Sequence, residues 1–212
     1  MPQVRKRAYL ISVYVGKDEL LKKKLEKYFN DHDLQNIRKP QKHLAEFLRT
    51  DYSDATIKEE ADGSQPNDTP SRRNIFDKNV KLFNNGVYSD FVPTITTKQD
   101  RHPNAGVVTY SSGRPGKSNF RYLTGRECML LMGFDDKDYE AIMTGNFMKS
   151  TTERFFSNTK IVKLAGNSIV VPVLEDVFTQ LVDIDEKFLQ KTLAETSSAL
   201  NGLAFNELSL AA

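Results

Sequence analysis

Residues 120–134, FRYLTGRECMLLMGF, are the stretch that decides the fold. Thr124 and Glu127 stand three positions apart. This is the spacing of a capping box, in which each side chain bonds a free backbone N–H at the start of a helix. Residues 129–132 are all apolar, and Gly133 then offers a stop signal. The stretch therefore predicts a short, buried helix.

One arginine, Arg126, falls in the first turn of this helix, where the helix dipole disfavours a cation, so we expect it to have a partner elsewhere. On these residues alone, a core helix with a surface arginine is an equally good interpretation. The stretch also resembles the RKLTPREC…RLMGF block near the C-terminus of cytosine-5 DNA methyltransferases. The resemblance implies that Arg126 and Glu127 brace the target-recognition region against the catalytic domain. Because Gly125 replaces the family's usual proline, we expect a looser helix start.

The composition allows one or two domains, since the chain has 212 residues and is 39% hydrophobic. Its single cysteine, Cys128, excludes a disulfide within these residues. The sequence has no signal-peptide pattern and no apolar run of transmembrane length. We therefore expect a cytoplasmic protein without a membrane partner.

The charge is unevenly distributed along the chain. Basic residues outnumber acidic ones by 12 to 6 in residues 1–50 and by 11 to 7 in residues 91–165, whereas acidic residues predominate elsewhere. A local basic excess is typical of a surface that faces phosphates, and it is also found on many ordinary solvated surfaces.

The N-terminal segment combines arginines with a strand-like run. In an extended chain Gln3, Arg5 and Arg7 point to one face, and residues 8–15 are rich in β-branched and aromatic residues, which predicts a buried strand. Alone, this is a basic tail that enters a strand. The segment also resembles the family's VPQ-x-R-x-R block, which implies that Arg7 reaches O2 of the flipped cytosine, with Arg5 as its neighbour. A guanidinium there favours charge on the ring during nucleophilic attack.

Two helices and a loop are predicted next. Residues 18–30 and 41–49 carry apolar residues at helical spacing. The lysines of the first helix could contact DNA or membrane, although a solvated face on a packed helix is the simpler interpretation. Residues 51–74 are dense in Asp, Ser, Pro and Gly and predict a loop or insert.

A small β region with a polar centre follows. Strand-like pieces are predicted at 80–83, 86–88, 92–95 and 107–110. The side chains of residues 96–104 are of the kinds that bind phosphates and base edges, although a generic polar hairpin would look much the same. The pair at 94–95 resembles the Thr-Leu or Thr-Ile pair of the family's target-recognition regions. This implies that residues 94–106 approach the target bases of double-stranded DNA and that Arg101 and Lys98 hold phosphate or guanine. The candidate recognition residues are Thr94, Ile95, Thr96, Lys98, Arg101 and Asn104.

The C-terminal third predicts further helices. One begins near residue 135, and Gly166, Asn167 and Ser168 predict a turn and N-cap before an apolar core helix over 170–181. The stretch AGNSIVVPV also resembles the family's final AGNSVVVPV block, which implies that Asn167 and Ser168 contact S-adenosylmethionine. From residue 183 to about 200 we expect one more helix.

These blocks stand in the family's order, and the resemblance implies the fold class. We expect an α/β fold, namely the C-terminal part of a Rossmann-like SAM-dependent methyltransferase domain with an inserted small β-rich target-recognition domain. The expected segments are 1–17 (catalytic-domain strand), 18–118 (target recognition) and 119–212 (helical block, return to the catalytic domain and cofactor wall).

The family's chemistry needs a nucleophile motif and a cofactor-binding motif that the 212 residues do not contain. A Pro-Cys thiolate attacks C6 of a flipped cytosine, and a glycine-rich loop binds the cofactor. Cys128 follows Arg-Glu inside an apolar helix, which predicts a structural cysteine rather than the nucleophile.

We therefore expect the C-terminal subunit or fragment of a DNA (cytosine-5-)-methyltransferase in bacterial restriction–modification. It would transfer methyl from S-adenosylmethionine together with an N-terminal methyltransferase polypeptide that carries the missing parts. Two alternatives stay open, a non-catalytic sequence-specific DNA-binding module and an inactive gene fragment. Without a partner, the segment 8–15 and the helix over 170–181 would expose apolar faces.

Overall fold

The computed structural model describes residues 2–36, 39–99 and 103–190. The chain forms two compact units. The large unit combines Met1–Ala8 with Pro40–Val171, and the small unit combines Tyr9–Lys39 with the chain from Pro172 onward. The segment boundaries expected after residues 17 and 118 concern functional regions, and they stay predictions.

The large unit holds a four-stranded mixed sheet, in the order β2-β1-β3-β4. β1 pairs antiparallel with β2 and parallel with β3, and β3 pairs antiparallel with β4. Asn85 and Gly86 close the β1–β2 hairpin with φ of 49° and 84°, the left-handed backbone that a two-residue turn requires. The strands are β1 (Lys81–Asn84), β2 (Val87–Tyr88), β3 (Val107–Thr109) and β4 (Phe120–Arg121).

The sheet confirms the strands predicted at 80–83, 86–88 and 107–110. The strand predicted at 92–95 is wrong, because only Val92 pairs there, in a single parallel bridge with Gln3.

The described part of the large unit also contains five α-helices: α2 (Ala55–Gly63), α3 (Pro70–Lys78), α4 (Gly125–Leu131), α5 (Asp136–Thr144) and α6 (Asn158–Asn167). The loop predicted at 51–74 is wrong, since α2 and the start of α3 occupy it. Its polar residues serve as helix starts: the Asp54 carboxylate caps α2, Thr69 caps α3, and Pro70 stands at the first helical position. Neither helix has a strong apolar stripe, so composition favoured a loop.

The helix predicted at 41–49 is reduced to a single 3-10 turn, Leu44–Glu46. Its apolar residues are nevertheless buried: Leu44, Phe47 and Leu48 all belong to the main core. The burial pattern was therefore predicted correctly and the helix length was not.

The helix α4 confirms the prediction from the opening stretch. Thr124 accepts from the Glu127 N–H, and the Glu127 carboxylate accepts from the Thr124 N–H at 2.9 Å, which completes the capping box. All seven residues of α4 are buried, and Gly133 follows the helix with a φ of 93°. This helix lies at the centre of the large unit's core.

The start of α4 is tightly held, although Gly125 was expected to loosen it. The Gly125 N–H donates to Asn158 Oδ1 at 2.6 Å, a bond that proline could not make. A Cβ at this position would lie 3.0 Å from Ile161 Cγ2, so glycine also lets α6 approach α4 closely. The contact with α6 thus compensates for glycine's conformational freedom.

The strand predicted at residues 8–15 is wrong. The segment has no strand pairing, and Leu10 and Tyr14 are 93% and 92% exposed. A buried strand needs neighbouring strands to bond its N–H and C=O groups, and the described part of the chain offers none to this segment.

The small unit is built from α1 (Glu19–Asp31) and α7 (Val171–Ile184), which belongs to this unit from Pro172 onward. A cluster of Leu21, Leu25, Tyr28 and Ile184 joins the two helices, and Tyr28 Oη donates to Asp183 Oδ2 at 2.6 Å. The helix predicted at 18–30 is confirmed.

The helix predicted over 170–181 is confirmed, and in this chain without a partner it is not the buried core helix that its apolar residues alone indicated. Phe178 and Val182 are 60% and 55% exposed, while the buried residues of α7 are Gln180 and Ile184. A π-helical turn, Asp185–Leu189, continues α7. The expected helix to about residue 200 otherwise lies outside the described residues.

Candidate functional site

Arg5 joins three segments of the large unit. Its guanidinium donates to the Ile95 carbonyl at 2.8 Å, to the Gly166 carbonyl at 3.0 Å and to the Ser168 carbonyl at 3.1 Å. Gln3 lies beside it and donates to the Leu131 carbonyl at 3.4 Å. The N-terminal segment, the segment with the Thr-Ile pair and the end of α6 therefore meet at one side chain.

Gly166 makes this meeting possible. A Cβ at this position would lie 2.5 Å from the backbone of Thr96 and Thr97, closer than real atoms approach. The predicted turn at Gly166 is wrong, because α6 runs through it and Ser168 is the C-cap of α6 rather than an N-cap. Glycine is required there for close approach and not for a turn.

Arg7 differs from Arg5 in its surroundings. Its side chain is exposed, and its guanidinium donates to the Lys6 carbonyl at 2.8 Å. Arg5 is half-buried and holds the backbone of other segments, whereas Arg7 projects from the same stretch into solvent. Of the two arginines, Arg7 is therefore the one whose position allows contact with a substrate.

The two predicted cofactor contacts lie at the end of α6. Asn167 is exposed, and the Ser168 hydroxyl donates to the Ala165 carbonyl at 2.9 Å. An exposed amide offers both a donor and an acceptor, and the bonded hydroxyl still has lone pairs to accept with. These polar groups fit a partial wall for S-adenosylmethionine, which would supply the methyl group when bound.

The predicted recognition residues divide between buried and exposed positions. Ile95 is 1% exposed and belongs to the core, so its side chain positions the segment. The Thr94 hydroxyl donates to the Val4 carbonyl and the Thr96 hydroxyl to the Lys98 carbonyl, both at 2.9 Å. Lys98 and Asn104 are exposed. Arg101 lies outside the described residues.

Arg126 has acidic partners, as its place in the first turn of α4 required. Its guanidinium forms ion pairs with Glu60 at 3.1 Å, Asp136 at 3.0 Å and Glu140 at 3.7 Å. Burial raises the pKa of Glu60, an effect that Arg126 opposes. Arg126 thus ties α2 to α4 and α5 within the large unit. Its expected role between two functional domains stays a prediction.

Glu127 lies in a fully buried ion pair with Arg121. The two terminal guanidinium nitrogens of Arg121, Nη1 and Nη2, donate to the carboxylate at 2.8 Å, and neither side chain has exposed area. The carboxylate also accepts from the Arg49 N–H at 2.9 Å. Burial acts to lower the pKa of Arg121, but Glu127 more than offsets this and raises it. The sequence alone did not single out Arg121 or Arg49 as partners, since neither stands at helical spacing from Glu127.

The single cysteine, Cys128, lies inside α4. Cys128 has no exposed area, and burial raises the pKa of its thiol far above the ordinary value. A buried, protonated thiol is a poor nucleophile. The expectation of a structural cysteine is confirmed.

The described ranges contain no group of three or more His, Cys, Asp or Glu residues that could hold a metal ion. Within the same ranges, no helix is long and apolar enough to cross a membrane.

Comparison with known proteins identifies the family. The family model described as C-5 cytosine-specific DNA methylase matches residues 1–183. The chain belongs to this family. The fold class expected from the sequence follows: an α/β fold that is the C-terminal part of a Rossmann-like methyltransferase domain with an inserted target-recognition region.

Curated relatives of this chain include phage and bacterial methyltransferases. The orphan methyltransferase M.SPBetaI of Bacillus phage SPbeta is 34% identical over 114 residues, which are 54% of this chain and 21% of that protein. The type II methyltransferase M2.ScrFI of Lactococcus lactis subsp. cremoris is 39% identical over 92 residues, 43% of this chain and 21% of that protein. The matched part thus spans about a fifth of the length of these relatives.

Among solved structures, the Dnmt2 methyltransferase of S. pombe is similar with a TM-score of 0.45 and 17% identity. The similarity covers 69% of this chain and 44% of that chain.

Proposed function

We propose that this chain is the C-terminal part of a DNA (cytosine-5-)-methyltransferase that transfers methyl from S-adenosylmethionine to C5 of a flipped cytosine. The observation that carries the proposal is the convergence on Arg5 of three segments that resemble family blocks: the N-terminal arginines, the Thr-Ile pair, and Gly166 with Ser168. A substrate arginine, a recognition segment and a cofactor wall would then be held in one rigid arrangement.

Arg7 is the candidate catalytic residue on this chain. Its exposed guanidinium would donate to O2 of the cytosine and stabilise the negative charge that builds on the ring when a thiolate attacks C6. Arg5 acts as its neighbour by fixing the segment from which Arg7 projects. Asn167 and Ser168 would contact S-adenosylmethionine, and residues 94–106 would face the target bases.

A second polypeptide would supply the nucleophile. Cys128, the single cysteine of the 212 residues, is buried and protonated. We therefore propose an N-terminal methyltransferase polypeptide with a Pro-Cys nucleophile and a glycine-rich loop. The exposed apolar side chains Phe178 and Val182, which lie one turn apart on α7, support such a partner, because exposed apolar patches mark interaction surfaces. We further propose a role in bacterial restriction–modification, in the cytoplasm, and the relative named a type II methyltransferase supports the first of these.

The test is methylation of double-stranded DNA by this chain co-expressed with such an N-terminal polypeptide. Arg7→Ala should lower the rate about 10²–10³-fold, the usual effect of removing a donor that stabilises developing charge. Folding should be unaffected, since Arg7 bonds only the adjacent Lys6 carbonyl among described contacts. Lys6→Ala, an exposed cation one position away, is the matched control and should retain activity.

Two results would overturn the proposal in different ways. If Arg7→Ala methylates as fast as the unaltered chain, the catalytic assignment of Arg7 is wrong. If the pair binds DNA but never methylates it, the chain is a non-catalytic DNA-binding module.

A further inference from the structure

A cleft of about 920 Å³ opens in the large unit, away from the contacts of Arg5. Its walls include the turn after α2, residues 97–99 and the first turns of α3 and α6. The Arg5 contacts lie at the other end of α6, and a ten-residue helix is about 15 Å long. The cleft therefore does not include the Arg5 contacts, although residues 97–99 in its wall belong to the segment proposed to face the target bases. Its volume is in the range of small-ligand pockets.

The rim of the cleft is positively charged. Arg72, Lys98 and Lys117 line it, and none of the described residues that line it is acidic. Lys98 is exposed, and Lys117 is held by a neutral group, the Asn67 amide oxygen at 2.8 Å. The first turn of α6 adds the positive end of a helix dipole. An anionic group is therefore favoured at this rim.

The floor of the cleft is polar but neutral. Ser64 and Gln99 line it, each 5% exposed, and the Ser64 hydroxyl and the Gln99 Oε1 have no hydrogen-bond partner among the described residues. The Gln99 amide nitrogen donates to the Thr96 carbonyl at 3.2 Å, so its oxygen remains as an unused acceptor. Buried polar atoms without partners are costly, and these two match a ligand that brings an N–H group.

We propose that this cleft is a nucleotide-binding pocket that takes a base at its floor and the attached phosphate at its cationic rim. A neutral base can be buried when its N–H groups find acceptors, whereas a phosphate is better kept near solvent. The base amino group would donate to Gln99 once the side chains of Gln99 and Ser64 rotate toward the cleft. Lys98 and Lys117 would bind the phosphate.

The same chemistry is present in a free nucleotide and in an unpaired nucleotide of a DNA strand. Both are tested by calorimetry on the full chain, with dCMP and dAMP as free probes and with short duplexes that do or do not contain one unpaired dC or dA. We expect saturable binding of the free nucleotides, or tighter binding of the duplex with the unpaired nucleotide than of the paired one. The first result identifies a free nucleotide as the ligand and the second a strand-borne one.

Three variants locate the binding. Lys98→Gln should weaken it about tenfold and reduce its salt dependence, because one cation at the phosphate is lost. Ser64→Ala should weaken it about fivefold without loss of stability, since the hydroxyl has no partner in the unbound chain. Lys137→Gln, at an exposed lysine of α5 away from the cleft, should leave binding unchanged.

The proposal is overturned if neither the free nor the unpaired nucleotide shows preferential binding, or if Lys137→Gln weakens binding as much as Lys98→Gln does. The measurement needs no methyl transfer. Its failure is therefore distinguishable from a failure of the proposed methyltransferase function.

Discussion

The Glu127 carboxylate accepts four hydrogen bonds in a site without exposed area. Two come from the Arg121 guanidinium, one from the Thr124 N–H and one from the Arg49 N–H. Such saturation is what makes a buried charge tolerable, since the desolvation cost is recovered only when every lone pair has a donor. Glu127 thus caps α4, and it also holds both the segment that precedes α2 and the strand β4.

Replacing this residue should strongly destabilise the large unit. Glu127→Ala leaves Arg121 as an uncompensated buried charge, and we expect the free energy of unfolding to fall by about 3–5 kcal/mol in urea denaturation. Glu140→Ala is the matched control, because Glu140 is a 65% exposed partner of Arg126 and should cost about 0–1 kcal/mol. Equal losses in the two variants would contradict the role given to the buried pair.

At the scale of elements, α4 and α6 are positioned by two glycines for different reasons. Gly125 brings the start of α4 against Asn158 and Ile161, and Gly166 brings the end of α6 against the backbone of Thr96. Neither glycine has a positive φ. Both are required by close packing, which no local pattern reveals.

Restoring the family's proline at position 125 should therefore destabilise this chain. Gly125→Pro removes the N–H that Asn158 accepts and places ring atoms where Ile161 already limits the space. We expect a loss of about 1–3 kcal/mol, measured by thermal or urea unfolding. In an Asn158→Ala background the penalty should shrink, because the lost bond is already absent. A stabilising proline would show that α6 can move away at little cost.

At the scale of the whole molecule, the chain leaves apolar side chains exposed in the small unit. Phe178 and Val182 lie one turn apart on α7, and Leu10 and Tyr14 lie in the segment that was predicted as a buried strand. The exposure itself was predicted for a chain without its partner. Such faces bind other apolar surfaces or aggregate.

Replacing the exposed Phe178 distinguishes binding to a partner from aggregation. Phe178→Ser should reduce aggregation and dye binding by the chain alone, and it should weaken association with the N-terminal polypeptide about 10–100-fold, the effect of one lost buried phenyl group. Glu175→Gln, at an exposed polar position of the same helix, should change neither. Unchanged association of the Phe178 variant, measured by calorimetry, would exclude this face as the partner surface.

The candidate site was predictable wherever function depends on residue identity within a short block. Arg5, Arg7, Asn167 and Ser168 were assigned from their blocks, because the resemblance rests on contiguous residues, and their roles stay predictions. Gln99 was missed: its unused acceptor is recognisable only once burial and partners are known. The same limit applies to Arg121, whose partner is set by the turn from β4 into α4.

By itself, the sequence determined the family, the capped helix α4, the strands β1 and β2 and the structural character of Cys128, since capping and short apolar runs act over a few residues. Only the tertiary structure decided that residues 55–63 and 70–78 are helices, that residues 8–15 are not a strand, and which of two arginines is held and which is exposed. These outcomes depend on which residues, distant in the sequence, form hydrogen bonds with a segment and bury it. The local sequence pattern does not identify those residues.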